Sequence, residues 1–198
     1  MKATGQGTVE PRTARLLGER LTQEHFAQMH VLHSDPEFML HLGGVRSPTQ
    51  THEYLDRNIA EWDHNGFGVW ILRDLESGEF VGRGGLRVLR LEETDEVEIG
   101  WGLRPAFWGL GLATEFAHEC LRIARDELQT PTVVATTSKQ NHASERVAER
   151  LGMVFEREVD LQGLALKLFR VRFDGPSNPR LQRGPVASRL DTAETQGP

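Results

Sequence analysis

The chain has 198 residues, of which 38% are hydrophobic and 26% charged, and a formal net charge of −6. That size and balance describe one soluble domain with its own core and argue against a general nucleic-acid binder, which carries a basic patch; a mildly acidic surface suits cationic partners such as amines. The single cysteine, Cys120, rules out an internal disulfide and fits a reducing cytoplasm, and no apolar run approaches the roughly 20 residues that span a bilayer, so no membrane partner is expected.

Residues 1–13 are polar, without the apolar stretch of a secretory leader, and are expected to be flexible. Arg15 to Arg20 predicts a first strand, and Thr22 caps a helix reaching about Leu32. Ser34-Asp35-Pro36 predicts a turn. Ser47-Pro48 opens a helix to Asn65, and Gly66 ends it. Strands follow over Val69–Leu72, Phe80–Leu89 and Glu96–Leu103, joined by turns at Glu76–Glu79 and Glu92–Asp95, which predicts an antiparallel meander. Ala113, Phe116, Ala117, Cys120, Leu121 and Ala124 recur at helical spacing within a helix from Leu112 to Asp126. A buried strand (Thr132–Thr136), a helix from Asn141 to Leu151 and two strands (Val154–Val159, Leu164–Phe173) complete one domain over 14–173. Residues 174–198 hold four prolines and few apolar residues, and a disordered tail is expected there.

The chemistry concentrates where the strand ending at Leu103 leads through Trp108-Gly109-Leu110-Gly111-Leu112-Ala113 into a helix. Small residues let backbone approach a ligand, and the helix start offers free N–H groups and a positive dipole end, so the segment suits a pyrophosphate. A plain Gly-rich turn is the competing reading. No Gly-Lys-Ser/Thr follows, which excludes a Walker P-loop; a dinucleotide fingerprint needs Gly or Ala where Thr114 stands and an early strand–helix–strand unit. Coenzyme A is the remaining common user of such a cradle.

These residues resemble the GNAT N-acetyltransferase superfamily. Trp108-x-x-Gly111-x-Ala113 is similar to its Gln/Arg-x-x-Gly-x-Gly/Ala cradle except at the first position. Glu98-Ile99-Gly100, Arg104-Pro105, Phe107-Trp108-Gly109-Leu110-Gly111, Ala113-Thr114-Glu115, Asn141-x-x-Ser144 and Leu151-Gly152-Met153 resemble the RimJ/RimL-like branch, with Met153 in place of a Phe. The resemblance implies an α+β fold: a twisted, mostly antiparallel mixed sheet of about seven strands flanked by about four helices. Strands 96–103 and 132–136 would splay, with the pantetheine arm of acetyl-CoA between them, paired by main-chain groups of Trp101 and Leu103. The N–H groups of Trp108, Gly109, Leu110, Gly111, Leu112 and Ala113 would hold the pyrophosphate, and Asn141 the arm near the thioester.

An alkylamine is largely cationic at neutral pH, so transfer to it needs a carboxylate that accepts a proton. Glu98 is the leading candidate from its strand position; Glu96, two residues away, shares its face and is a substrate-binding candidate, and alternation does not separate them. The tyrosine many family members use to protonate the leaving thiol corresponds to Ala148, and the only tyrosine is Tyr54; the resemblance to the RimJ/RimL-like branch implies that Ser144, which matches that branch's serine, takes the role. Phe67 and Trp70 are candidates to line the acceptor pocket. Cys120 lies on an apolar helix face and reads as core; His25, His30 and His33 have helical spacing, but no further ligand completes a metal site, so no metal is expected. The expected function is acetyl transfer from acetyl-CoA to a primary amine, foremost a protein or peptide N-terminal α-amine. A small amine (aminoglycoside, polyamine or amino acid) is the alternative acceptor, and a non-catalytic acyl-CoA sensor the rival from another class. A cytoplasmic location and a homodimer are further expectations.

Overall fold

In the computed structural model, residues 10–161 and 163–173 are described. The leader's first nine residues and the segment 174–198, expected to be flexible, lie outside them. Seven strands form one sheet: β1 (Leu16–Arg20), β2 (Val69–Asp74), β3 (Phe80–Leu91), β4 (Thr94–Leu103), β5 (Thr132–Ser138), β6 (Val154–Leu161) and β7 (Leu164–Arg172). Their order is β1-β2-β3-β4-β5-β7-β6. Only β4 and β5 run parallel, so the sheet is mixed, as expected.

Among the described residues, five α-helices flank it: α1 (Phe26–Ser34), α2 (Pro36–Met39), α3 (Pro48–Asn65), α4 (Leu112–Asp126) and α5 (His142–Arg150). The expected turn at Ser34-Asp35-Pro36 instead leads into α2, because Asp35 accepts hydrogen bonds from the N–H groups of Glu37 and Phe38 and caps a new helix. Local signals hold elsewhere. Ser47 and Gln50 form a capping box at α3 with Pro48 in its first turn, and left-handed Gly66 closes it.

Alternation along β2 to β5 divides the core. Trp70, Leu72, Leu86, Val97, Ile99, Val133 and Ala135 pack with Phe116, Ala117, Cys120 and Ala124 of α4. Val69 and Ile71 face the other way, against Met29 and Leu32 of α1, Phe38 and Met39 of α2, and Leu55 of α3. Each large side chain so buried stabilises the fold by roughly 1.5–3 kcal/mol.

Residues 11–13 are not loose. Pro11 is buried and its carbonyl accepts from Gly18 N at 2.8 Å, while Thr13 Oγ1 donates to Glu115 at 2.6 Å. Pro11 to Thr13, expected to be part of a flexible leader, are therefore held, because they have a strand and a helix to bond to. No helix among the described residues is long and apolar enough to cross a membrane.

Candidate active site

The site is built where β4 and β5 part. They pair in register only at Glu98 and Val134. Side chains clamp the closed end: Thr132 Oγ1 donates to Glu96 at 3.2 Å, and Thr136 Oγ1 to Glu98 at 2.5 Å. From Ile99 to Leu103, β4 keeps β3 on one side and, among the described residues, has no paired strand on the other. That leaves main-chain groups for an extended ligand to satisfy. Trp101 and Leu103 both lie on this free stretch. The Leu103 carbonyl, however, already accepts the Trp108 indole N–H at 2.7 Å.

At the open end the chain turns into α4 through two left-handed residues, Gly109 (φ 76°) and Gly111 (φ 78°), a conformation that disfavours any side chain. Gly111 is the N-cap, and the first bond into the helix runs from Glu115 N to its carbonyl at 3.0 Å. The N–H groups of Gly109, Leu110, Gly111, Leu112, Ala113 and Thr114 have no acceptor among the described residues. Six donors at the positive end of a four-turn helix fit a pyrophosphate.

Glu115, in the first turn, opposes an anion there. Arg15 offsets it: its guanidinium pairs with Glu115 at 2.6 Å and donates to the Leu110 carbonyl at 3.0 Å. Burial disfavours the Glu115 carboxylate, yet the bonds from Thr13 and Arg15 outweigh it and hold its pKa below the ordinary value. Sequence reasoning missed Arg15 and Thr13 as parts of this site; an acid at the mouth of an anion cradle was the available signal.

Asn141 and Ser144 sit just beyond β5, at the same open end. Asn141 Oδ1 accepts Ser144 N at 3.1 Å and caps α5, which leaves its amide NH2 to donate to a ligand. Ala148 is fully buried. Tyr54 stands on α3 beside His33 and Arg46, on the sheet face opposite α4.

On that face Glu98 is 3% exposed and pairs with Arg87, its cross-strand neighbour. A second carboxylate, Glu61 of α3, is close: it accepts Val88 N at 2.6 Å, and burial, aided by Glu98, raises its pKa against the pull of that N–H and Arg87. Glu61 was not anticipated, because it lies 37 positions from Glu98 and only the packing of α3 brings them together. Arg83 and the Arg46–His33 pair lie on this same face, and Phe38 of α2 takes the space a side chain at Gly102 needs. The loop after α2 reaches the mouth of the fork, with His41 Nδ1 3.4 Å from Ser138 Oγ.

Three expected acceptor residues lie elsewhere. Trp70 is fully buried and Phe67 3% exposed, both in the core with Trp62 and Phe116, because alternation along β2 turns Trp70 toward α4. Glu96 is held by Arg170 at 2.9 Å and by Thr132 at the closed end of the fork, away from the cradle. Among the described residues, no group of three metal-ligating side chains comes together.

Comparison with known proteins agrees with this architecture. Residues 15–154 match the family model for the acetyltransferase (GNAT) domain. An FsC-acetyl coenzyme A-N(2)-transacetylase of Aspergillus fumigatus is 36% identical over 193 residues, covering 92% of this chain and 76% of that protein. A crystal structure of an acetyltransferase from Agrobacterium tumefaciens superposes with a TM-score of 0.75 at 25% identity, covering 87% of this chain and 99% of that one. A RimL ribosomal L7/L12 alpha-N-protein acetyltransferase in complex with coenzyme A shares the fold, with a TM-score of 0.69 at 17% identity over 82% of this chain and 96% of that one. The splayed parallel pair, the glycine cradle and the family match over 15–154 together place this chain in the GNAT family, as an acetyl-CoA-dependent N-acetyltransferase.

Proposed function

We propose that the chain transfers an acetyl group from acetyl-CoA to a primary amine by direct attack, and that the acceptor is the α-amine of a protein or peptide N-terminus. The observation that carries this reading is the buried carboxylate of Glu98 at the point where β4 and β5 separate, on the sheet face that α1 to α3 pack against. There it receives the acceptor's ammonium and takes its proton. Arg87 and Thr136 hold the carboxylate in place, and Glu61, close enough to feel the charges of both Arg87 and Glu98, is a second base to which the proton can pass.

Main-chain groups of Trp101 and Leu103, the Asn141 amide and the N–H groups of Gly109 to Ala113 bind acetyl-CoA, with Arg15 cancelling the charge of Glu115; the expected Trp108 N–H is not among these donors, because it donates to the Pro105 carbonyl at 3.0 Å. The Ser144 hydroxyl, in the first turn of α5, donates to the departing thiolate. The RimJ/RimL-like motifs support the N-terminal α-amine. A small-molecule amine is the second reading, favoured by the 36% identity to a protein named as an N(2)-transacetylase. Incubation with acetyl-CoA and a peptide library, read by mass spectrometry, tests the acceptor. A gain of one acetyl group on free N-termini, absent from N-blocked peptides, is expected; acetylation of small amines alone overturns the peptide reading.

A further inference from the structure

We propose that Arg83 and Arg46 form an anion-binding subsite in the acceptor groove, so that the acceptor carries a carboxylate beside its reactive nitrogen. The proposal deepens the acetyl-transfer reading and depends on it for the identity of the groove.

Arg83 stands on β3 opposite Gly102 of β4. Its Nη1 lies 3.7 Å from where a Cβ at Gly100 would be, and its Cζ 3.7 Å from that of Gly102. The guanidinium therefore covers the free stretch of β4 just past Glu98, and two glycines on one face leave the room for it. Its Nε is buried with no hydrogen-bond partner among the described residues. Arg46, half-buried, lies 5.2 Å over the Tyr54 ring with Nη1 3.4 Å from His33 Nε2.

Neither arginine has a carboxylate within ion-pair distance among the described residues, whereas Arg87 next to them takes Glu98. The nearby Glu61 is turned to Val88 N. Burial, then Arg46, Arg83 and His30, push the His33 pKa down to about 3, as expected beside unneutralised cations. Partly buried guanidinium groups without an anion are unfavourable, and a planar carboxylate is their natural complement.

Glu98 and Gly100 are two residues apart on an extended strand, about 7 Å. An amino acid spans that gap with its ammonium toward Glu98 and its carboxylate toward Arg83. Polyamines and aminoglycosides, which carry several positive charges, are repelled by the same pair. The carboxylate has two possible sources: the α-carboxylate of a free amino acid, or an acidic side chain next to a peptide N-terminus.

The test compares matched acceptors at saturating acetyl-CoA. One arm is free L-alanine and L-glutamate against their α-carboxamides; the other is peptide amides with Glu against Gln at the second residue. The carboxylate member is expected to have a kcat/KM roughly 10- to 100-fold higher in one arm, which identifies the source. Arg83→Met and Arg46→Met are each expected to bring that ratio toward unity. A wild-type ratio near one in both arms, a ratio kept in both variants, or a preference for spermidine overturns the proposal. If no acceptor turns over, the transfer reading fails on its own. Calorimetric titration of the same pairs into the CoA-saturated protein then decides the subsite by the same ratios.

Discussion

Acidification probes the cationic groove through His33. The imidazole is 1% exposed, and burial together with Arg46, Arg83 and His30 lowers its pKa from 6.5 to about 3. Between those values the unfolded chain binds a proton that the native chain refuses, so stability is fully present above pH 6.5 and is lost as pH falls toward 3. The two pKa values imply a loss of about 2 kcal/mol at pH 5 relative to neutral pH, from this residue alone. Urea unfolding at pH 7.5 and pH 5, followed by tryptophan fluorescence, measures it. Carboxylates contribute to both wild type and His33→Gln, so the difference between the two proteins isolates the imidazole. The variant is expected to lose about 2 kcal/mol less than wild type over that interval. Equal losses would mean that His33 accepts a proton as readily folded as unfolded and would refute the picture of a buried, unneutralised cationic cluster.

Gly111→Ala forces a side chain into a left-handed position that disfavours it by about 1–2 kcal/mol, and calorimetry should show acetyl-CoA binding weakened roughly 5- to 30-fold. Arg15→Met leaves Glu115 uncompensated at the start of α4, which should weaken acetyl-CoA binding about 3- to 10-fold at low salt; adding Glu115→Gln should restore most of it, and a strictly additive double variant would contradict the coupling. Phe116→Ala, at a 1% exposed position between α4 and Trp70, should lower unfolding free energy by about 3–5 kcal/mol in urea titration.

Features encoded within a few residues were legible from sequence. Ser47-Pro48 with Gln50, Gly66, Gly109 and Gly111 announce caps and turns by their own chemistry, and they locate α3 and the cradle to within a residue or two. The fork at Glu98 was legible through the motifs around it. What escaped depends on contacts between distant segments. Pro36–Met39 is too short to show periodicity, yet Asp35 caps it. Glu96 and Glu98 share a face, and only their partners, Arg170 and Arg87, separate a strut at the closed end from a groove carboxylate. Trp70 stands near the end of α3 and was a candidate for the acceptor pocket, but Trp62 and Phe116 enclose it. Arg46 and Arg83, 37 positions apart, belong to no motif in the sequence; only the docking of α1 to α3 onto β3 sets both on the Glu98 face, Arg46 against His33 and Arg83 against Gly100 and Gly102.

The most direct measurement of the central claim is CoA-thiol release by wild type and Glu98→Gln, with acetyl-CoA affinity determined on the same samples. A groove carboxylate that takes the amine's proton predicts a kcat lower by roughly 10²- to 10⁴-fold in the variant, with acetyl-CoA affinity unchanged. Wild-type turnover with kcat retained in Glu98→Gln would contradict that role and pass the base to Glu61.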